Sequence, residues 1–174
     1  RKRQLEQWLG VVLTEKAFTL SVASADASFR RYFRVQLQDK TLIAMDAPPE
    51  QESCTSFIDI AKLFLDCGLH VPEVIVQDME QGFLLLSDLG NDTYLSQLNK
   101  DTAQPLYGDA TNALINLQLA SKPNVLPAYD AALLMREMQL FPEWYLAKHL
   151  NVNLDAAQQS VLDKTFTILT QNIL

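Results

Sequence analysis

The segment "SADASFRRYFRV", residues 24–35, concentrates positive charge in an acidic chain. It contains Arg30, Arg31 and Arg34, whereas the whole chain has a net charge of −7. Guanidinium groups bind phosphate and carboxylate oxygens through paired N–H donors. The segment therefore indicates a strand that passes close to an anion. Arginines on an exposed strand face, which only keep a sheet edge soluble, are the alternative.

Other chemistries have less support. The sequence has no G-x-S-x-G elbow, no P-loop, no H-E-x-x-H and no His/Cys cluster with metal-ligand spacing. Cys54 and Cys67 fall in one predicted helix, too far apart to be bridged, and without a secretion signal we expect reduced thiols in a cytoplasmic protein. The acidic net charge argues against a nucleic-acid binder, and no apolar run approaches the length of a membrane span.

The elements that position the arginines follow from hydrophobic spacing. Apolar residues at positions 5, 8, 9 and 12 predict a first helix, and strands are predicted at 18–24 and 28–38. A third strand is predicted within 39–49, after a turn at Asp39-Lys40 and ended by Pro48-Pro49. The second strand places Arg31 on one face, with Phe29, Phe33 and Val35, and places Arg30, Tyr32 and Arg34 on the other. A helix over 50–68 follows, ending at Gly68, and its predicted inner stripe is Phe57, Ile60, Ala61 and Phe64.

Two further strands, at 72–78 and 82–89, are joined by a polar turn at residues 78–82. After Gly90 every pattern is helical, with an interruption or kink predicted near Pro142. The order is helix, three strands, helix, two strands and then helices only. This order predicts an α+β fold.

Four segments, in this order, resemble a known family. They are "ADASFRRYFRV", "MDAPPEQES", "VPEVIVQDMEQGFLLLSDLGNDTYL" and "YDAALLMREMQLFPEWYL". Together they resemble the bacterial aminoglycoside-phosphotransferase-like sugar kinases, which are protein-kinase-like, and within them the group that phosphorylates N-acetylmuramate and N-acetylglucosamine at the anomeric position. The resemblance implies a five-stranded small lobe followed by helices of a large lobe. It also implies ATP and Mg²⁺ as cofactors and an amino sugar as substrate.

The resemblance implies that the turn between the first two strands covers the nucleotide phosphates. That turn has Ser24, Asp26 and Ser28 in place of glycines, and small side chains allow the backbone to approach a phosphate. Arg31 and Arg34 are the implied phosphate contacts. The third strand has Met45 or Asp46 where the kinase lysine is expected. The acids of the next helix, Glu50 and Glu52, therefore have no lysine partner, unless an arginine of the second strand substitutes; the alternative is that they only favour the helix dipole.

The fifth strand leads into "SDLG", residues 87–90, where a kinase connects its two lobes. By the resemblance, the backbone there contacts the adenine edge. Asp88 is interpreted as a hinge residue or helix cap and not as a magnesium ligand, and an ordinary strand-to-helix turn is the alternative. The candidate cofactor-binding residues here are Leu86, Ser87, Asp88 and Leu89.

A kinase-type catalytic loop, H-x-D-x-x-x-x-N, does not occur in the sequence. His70 precedes Val71-Pro72 and His149 precedes Leu150-Asn151, so neither histidine begins such a motif. We therefore predict no catalytic residue and no metal ligand in this chain, and expect the chain alone to be inactive. Because it starts without Met and stops inside an amphipathic pattern, we expect it to be a piece of something longer.

The helical region offers candidates for a sugar site. Asp130, Glu137 and Trp144, with Glu143 beside them, could meet the hydroxyls and the apolar face of a sugar, although acids at such positions more often form a solvated helix face. The predicted organisation is a small lobe at 1–86, a hinge at 87–92 and a partial large lobe at 93–174. Partners are expected to be ATP and a small sugar, without nucleic acid or membrane, and a homodimer is possible through an uncovered large-lobe surface.

Two other functions fit the same residues. A non-catalytic half-kinase that senses nucleotide or docks a partner would explain the missing lysine and the missing loop. An aminoglycoside or choline-type kinase of the same superfamily would differ only in its acceptor.

Overall fold

The chain forms two compact units, Arg1–Ser121 and Lys122–Leu174. The fold is given by a computed structural model, which describes residues 1–14, 17–25 and 29–174. The first unit contains the sheet, and the second is helical in its described elements. Among the described residues no helix is both long and apolar enough to cross a membrane.

One five-stranded antiparallel sheet organises the first unit. Its order is β1-β2-β3-β5-β4, and each neighbouring pair is antiparallel. The predicted α+β class and the predicted order of elements are confirmed. The strands are β1 (Thr19–Ala25), β2 (Arg31–Gln36), β3 (Thr41–Asp46), β4 (Val74–Asp78) and β5 (Phe83–Ser87).

Helix α1 (Lys2–Val12) covers one face of this sheet. Its residues Leu5, Trp8 and Leu9 are buried, and the Trp8 and Phe83 ring centroids lie 5.6 Å apart. Because side chains alternate along a strand, every second residue of β2 and β3 contributes to this face. The strand residues packed there are Phe33, Val35, Leu42, Ala44, Phe83 and Leu85.

Helix α2 (Cys54–Asp66) packs on the opposite face. The Ser53 hydroxyl accepts a hydrogen bond from the Thr55 N–H at the N-terminus of the helix. Gly68, at φ 76°, follows the end of the helix in the left-handed conformation that glycine adopts readily, as predicted. The buried residues on this side are Met45, Ala47, Cys54, Leu84 and Leu86. Cys54 and Cys67 are both free thiols, and burial raises the pKa of Cys54.

The apolar stripe predicted on the inner face of α2 is only partly buried. Phe57, Ile60, Ala61 and Phe64 are half-buried and line an open groove of about 360 Å³ together with Arg30, Val71 and Pro72. The helical spacing identified the correct face, but that face extends beyond the edge of the sheet core. Part of it therefore stays accessible in the first unit.

The β4–β5 turn brings two backbone segments into close contact. Gly82 has φ 69°, and a Cβ atom built on it would lie 1.9 Å from the carbonyl oxygen of Ala47. The Ala47 N–H donates to the Gly82 carbonyl at 2.8 Å. Asp78 accepts from the Gln81 backbone and side chain, and these bonds lower its pKa. Glycine is therefore required at position 82 by both conformation and space.

Two helices follow the sheet within the first unit. Helix α3 (Tyr94–Gln97) begins with a capping box in which Thr93 and Ser96 each bond to the backbone of the other. Helix α4 (Ala103–Ala120) is the longer of the two. The prediction that only helices follow Gly90 is confirmed for the described residues.

The second unit consists of helix α5 (Ala131–Leu140), a π-helical segment (Phe141–His149) and helix α6 (Ala156–Ile173). Pro142 lies at the start of the π-helical segment, so the predicted interruption is confirmed. Proline has no N–H to continue an α-helical ladder, which explains the change of helix type. Leu134 of α5 and Phe166 of α6 are the buried apolar residues of this unit.

Candidate functional site

Strand β2 separates the arginines of residues 30–34 between the two faces of the sheet. Tyr32 packs with the α2-side core, whereas Phe33 packs with the α1-side core. Arg34 shares the face of Tyr32, and Arg31 shares the face of Phe33. Arg30, directly before β2, lines the groove beside α2. The predicted division of the arginines between the two faces is confirmed.

Arg34 holds the linker that follows β5. Its Nε donates to Asp88 Oδ2 at 2.6 Å and its Nη2 donates to Asp88 Oδ1 at 3.0 Å. The same guanidinium donates to the Gly90 carbonyl at 3.0 Å and to the side chain of Asn91. This fork geometry is the strongest arrangement available to an arginine–carboxylate pair. One side chain of β2 thus fixes three linker residues.

The environment of Asp88 favours its charged form. Its side chain is only 4% exposed. The Arg34 guanidinium, followed by hydrogen bonds from the Gly90 N–H and Thr41, lowers the pKa of Asp88 to about 2 against the opposing effect of burial. The same pair raises the pKa of Arg34. Because both carboxylate oxygens accept hydrogen bonds, Asp88 is a linker anchor in this geometry and does not cap α3, where Thr93 is the cap.

Arg31 lies away from the α2 side. It pairs with Asp46, its register partner on β3, whose side chain is fully buried. Arg1, before α1, pairs with the same carboxylate and lies 4.7 Å from the centroid of the Phe83 ring. Arg31 therefore belongs to the contact between α1 and the sheet. Its predicted role at the nucleotide phosphates has no geometric support, because the sheet separates it from the α2-side cavities.

Arg30 pairs with Glu52 at 3.1 Å, and both side chains are largely covered, 25% and 21% exposed. Glu52 lies before Ser53, the N-cap of α2, so the expected helix acids Glu50 and Glu52 precede the helix instead of occupying its first turn. Of the three arginines, Arg30 is the one that pairs with either of these acids. From the sequence, Arg31 and Arg34 were predicted to take the place of the missing lysine.

A cleft of about 430 Å³ opens between β2, β3, α2 and the linker. Five of the predicted cofactor-binding residues line it, namely Arg34, Leu86, Ser87, Asp88 and Leu89. Ala23 also reaches it, at the point where the β1–β2 register shifts between Val22 and Ser24. The remaining lining residues are Tyr32, Ile43, Phe57, Pro72 and Gly90. A mostly apolar cleft with a few polar groups at one edge is the usual form of a small-molecule site.

Other predicted cofactor residues lie elsewhere. Met45 is fully buried between β5 and α2 and does not line the cleft. Ser24 lies in β1 opposite Tyr32, while Asp26 and Ser28 lie outside the described residues. Sequence reasoning missed Tyr32 as a lining residue, although strand alternation with Arg34 was the available signal. Phe57 and Pro72 gave no such signal, since only the packing of α2 brings them to the cleft.

The predicted sugar-site residues are each engaged locally in the second unit. Asp130 accepts from the Leu133 N–H at 2.9 Å as the N-cap of α5. Glu137 lies 3.9 Å from Arg136, and Lys148 Nζ lies 3.4 Å from the centroid of the Trp144 ring. Trp144 is 57% exposed. Trp144 therefore keeps part of its ring accessible to a ligand.

No metal cluster is evident in the part of the chain that the structure describes. Within it, no group of three or more His, Cys, Asp or Glu side chains lies close enough together to hold an ion. His70 is exposed in a loop, and His149 is in the last turn of the π-helical segment. The described residues therefore form no ion site made of protein side chains alone.

Comparison with known proteins identifies the family. The profile of the "Phosphotransferase enzyme family" matches residues 19–174. The chain belongs to this phosphotransferase family. The match begins at β1 and includes the cleft, the linker and the whole second unit, so the resemblance to phosphotransferases noted from the sequence is confirmed.

Curated members of the family give more specific likenesses. The chain is 50% identical over 165 residues to the N-acetylmuramate/N-acetylglucosamine kinase of Pseudomonas aeruginosa, covering 89% of this chain and 49% of that protein. It is 42% identical to the kinase of the same name from Pseudomonas putida, covering 100% of this chain and 54% of that protein. A third kinase of that name, from Neisseria meningitidis, is 38% identical, covering 100% of this chain and 53% of that protein. The chain thus spans about half the length of the curated relatives it matches.

Proposed function

We propose that this chain is the nucleotide-binding part of an ATP-dependent kinase whose acceptor is an amino sugar, N-acetylmuramate or N-acetylglucosamine. The observation that carries the proposal is the cleft, which is bordered by the linker that the Arg34–Asp88 contact holds. The acceptor comes from the likeness to relatives named for these two sugars. Because ATP is the proposed donor, we also propose a cytoplasmic protein.

ATP suits the cleft. Ile43, Leu86 and Leu89 offer apolar surface for a planar base, and the linker backbone lies at the edge of the cleft, where N–H and C=O groups can meet a base. The Arg34–Asp88 pair would keep that backbone in place. Residues 87–92 are in this view the hinge that the sequence suggested, with Asp88 as its anchor.

Bound ATP supplies the phosphoryl group, and the residues of this chain bind and orient it. Transfer to a sugar hydroxyl needs an aspartate that accepts the hydroxyl proton and a Mg²⁺ site. The sequence has no H-x-D loop, and the described residues contain no group of three or more His, Cys, Asp or Glu side chains that could hold an ion. We therefore propose that the chain alone binds nucleotide without transferring phosphate, and that a longer protein of the relatives' length completes the site.

Trp144 is the proposed contact for the apolar face of the sugar, because its exposed ring presents a flat surface in the second unit. Asp130 and Glu137 are proposed to accept hydrogen bonds from sugar hydroxyls. All three of these residues lie in the second unit, so the proposed sugar contacts are contacts of that unit alone.

The test is a substrate panel with the natural gene product that carries the chain. ATP-dependent phosphorylation of N-acetylmuramate and N-acetylglucosamine, with no reaction on aminoglycosides or choline, is the expected result. ATP binding without turnover in that gene product would support a nucleotide sensor and contradict the kinase proposal. The 174-residue chain, assayed in parallel, is expected to yield no product.

A further inference from the structure

We propose that Arg30, held by Glu52, contacts the nucleotide phosphates in place of the lysine that β3 lacks. The proposal rests on the proposed binding of a nucleotide in the cleft. It identifies Arg30 as the side chain that binds the phosphates there. From the sequence, Arg31 and Arg34 were the predicted phosphate contacts.

The other two arginines already have different structural roles. Arg31 is on the α1 face with Asp46, and Arg34 is engaged by Asp88, Gly90 and Asn91 of the linker. β3 contains no lysine or arginine, and its Met45 is buried in the core. Arg30 is the arginine of this segment that lies on the α2 side and away from the linker.

The position of Arg30 suits the far end of a nucleotide. Arg30 and Arg34 are four residues apart on one side of the extended chain, a separation of about 13 Å. Phe57 and Pro72 line both the cleft and the groove that contains Arg30, so the two cavities are neighbours. A base at the linker would therefore have its phosphates directed toward Arg30, directly after the β1–β2 turn.

Glu52 acts as a positioning residue. Its carboxylate, just before the N-cap of α2, lies 3.1 Å from Arg30 Nη2, and this contact keeps the guanidinium beside the groove. A guanidinium carries five N–H donors in a planar fork, so it can bind a carboxylate and phosphate oxygens at the same time. The exposed quarter of the Arg30 side chain gives a ligand access.

The test compares ADP and adenosine binding to the natural gene product by isothermal titration calorimetry. Arg30→Gln is expected to weaken ADP binding tenfold or more, because a charge-assisted contact is lost. Adenosine affinity should be unchanged, which also shows that the variant is folded. Arg3→Gln, the same change at an exposed position of α1, is the matched control and should leave both affinities as they are.

A second set of variants tests the positioning role. Glu52→Gln is expected to weaken ADP binding less than Arg30→Gln does. The double variant should bind ADP no more weakly than Arg30→Gln alone, since Glu52 acts through Arg30. If Arg30→Gln does not fold, Arg30→Lys keeps a cation for Glu52 but loses the fork, and should still show a selective loss for ADP.

The outcomes separate the two proposals. Unchanged ADP affinity in Arg30→Gln or Arg30→Lys, with tight binding to the unmodified protein, would overturn the role of Arg30 and leave nucleotide binding standing. Failure of the unmodified protein to bind either ligand would overturn both proposals. Equal loss of ADP and adenosine affinity would assign Arg30 a structural role only.

Discussion

Each arginine of residues 30–34 meets its own carboxylate. Arg30 pairs with Glu52, Arg31 with Asp46 and Arg34 with Asp88. The three arginines that this acidic chain places together are therefore paired with carboxylates of the fold itself. These pairs join β2 to α2, to the sheet core with α1, and to the linker, and only the first of them lies where we propose phosphates to bind.

The Arg34–Asp88 pair makes stability depend on pH in the acid range. The folded-state pKa of Asp88, about 2, lies below its ordinary 3.8, so the pair stabilises the fold above pH 3.8 and this stabilisation is lost as the pH falls toward 2. Asp88→Asn should lower the free energy of unfolding at pH 7 by about 2 kcal/mol. The free energy of unfolding of this variant should also fall less steeply below pH 4 than that of the unmodified protein. Urea denaturation at pH 7 and pH 3 measures both, and parallel profiles for the two proteins would contradict the assignment.

Two glycines should respond to alanine with opposite signs. Gly82→Ala places a Cβ against the Ala47 carbonyl at positive φ, and should destabilise the first unit by about 2 to 4 kcal/mol. Gly108→Ala, in α4 with nothing within 4 Å of the added atom, should stabilise by about 0.5 to 1 kcal/mol. Denaturant titration of both variants is the measurement. A neutral Gly82→Ala would mean that the turn can open without cost.

At the scale of elements, α1 is held to the sheet by a few buried side chains and the Arg1–Asp46 contact. Leu9→Ala removes a fully buried side chain and should cost about 3 kcal/mol. Val11→Ala, at a residue 79% exposed on the same helix, should change stability by less than about 0.5 kcal/mol. Equal effects in thermal or urea unfolding would show that α1 does not dock as described.

The elements themselves were largely predictable, because their signals are local. Alternation along β2 and the helical spacing of α1 each need only a dozen neighbouring residues. The ion-pair partners were not predictable, since Arg34 and Asp88 are 54 residues apart and meet only through the sheet. Likewise, the resemblance placed Leu86–Leu89, at the end of β5 and directly after it, at the nucleotide site, but no such signal placed Phe57 there.

At the scale of the whole molecule, the described chain divides between Ser121 and Lys122. Residues 121–130, between α4 and α5, are all exposed and lack regular secondary structure. Brief digestion with thermolysin should therefore cut first within this segment and release products close to the two units. Mass spectrometry of the fragments identifies the site. A first cut within β2 or β3 would show that the sheet opens more readily than the segment.

The β2–β3 hairpin limits how the length of this chain can vary. Leu37 N–H donates to the Lys40 carbonyl at 2.9 Å, and the strand pairs run without a break from Gln36–Thr41 to Arg31–Asp46. One residue inserted between Arg31 and Arg34 would prevent Arg30 and Arg34 from sharing a face, because side chains alternate. Residues 31–36 and 41–46 should therefore diverge among homologous chains by substitution, with insertions and deletions confined to the turns.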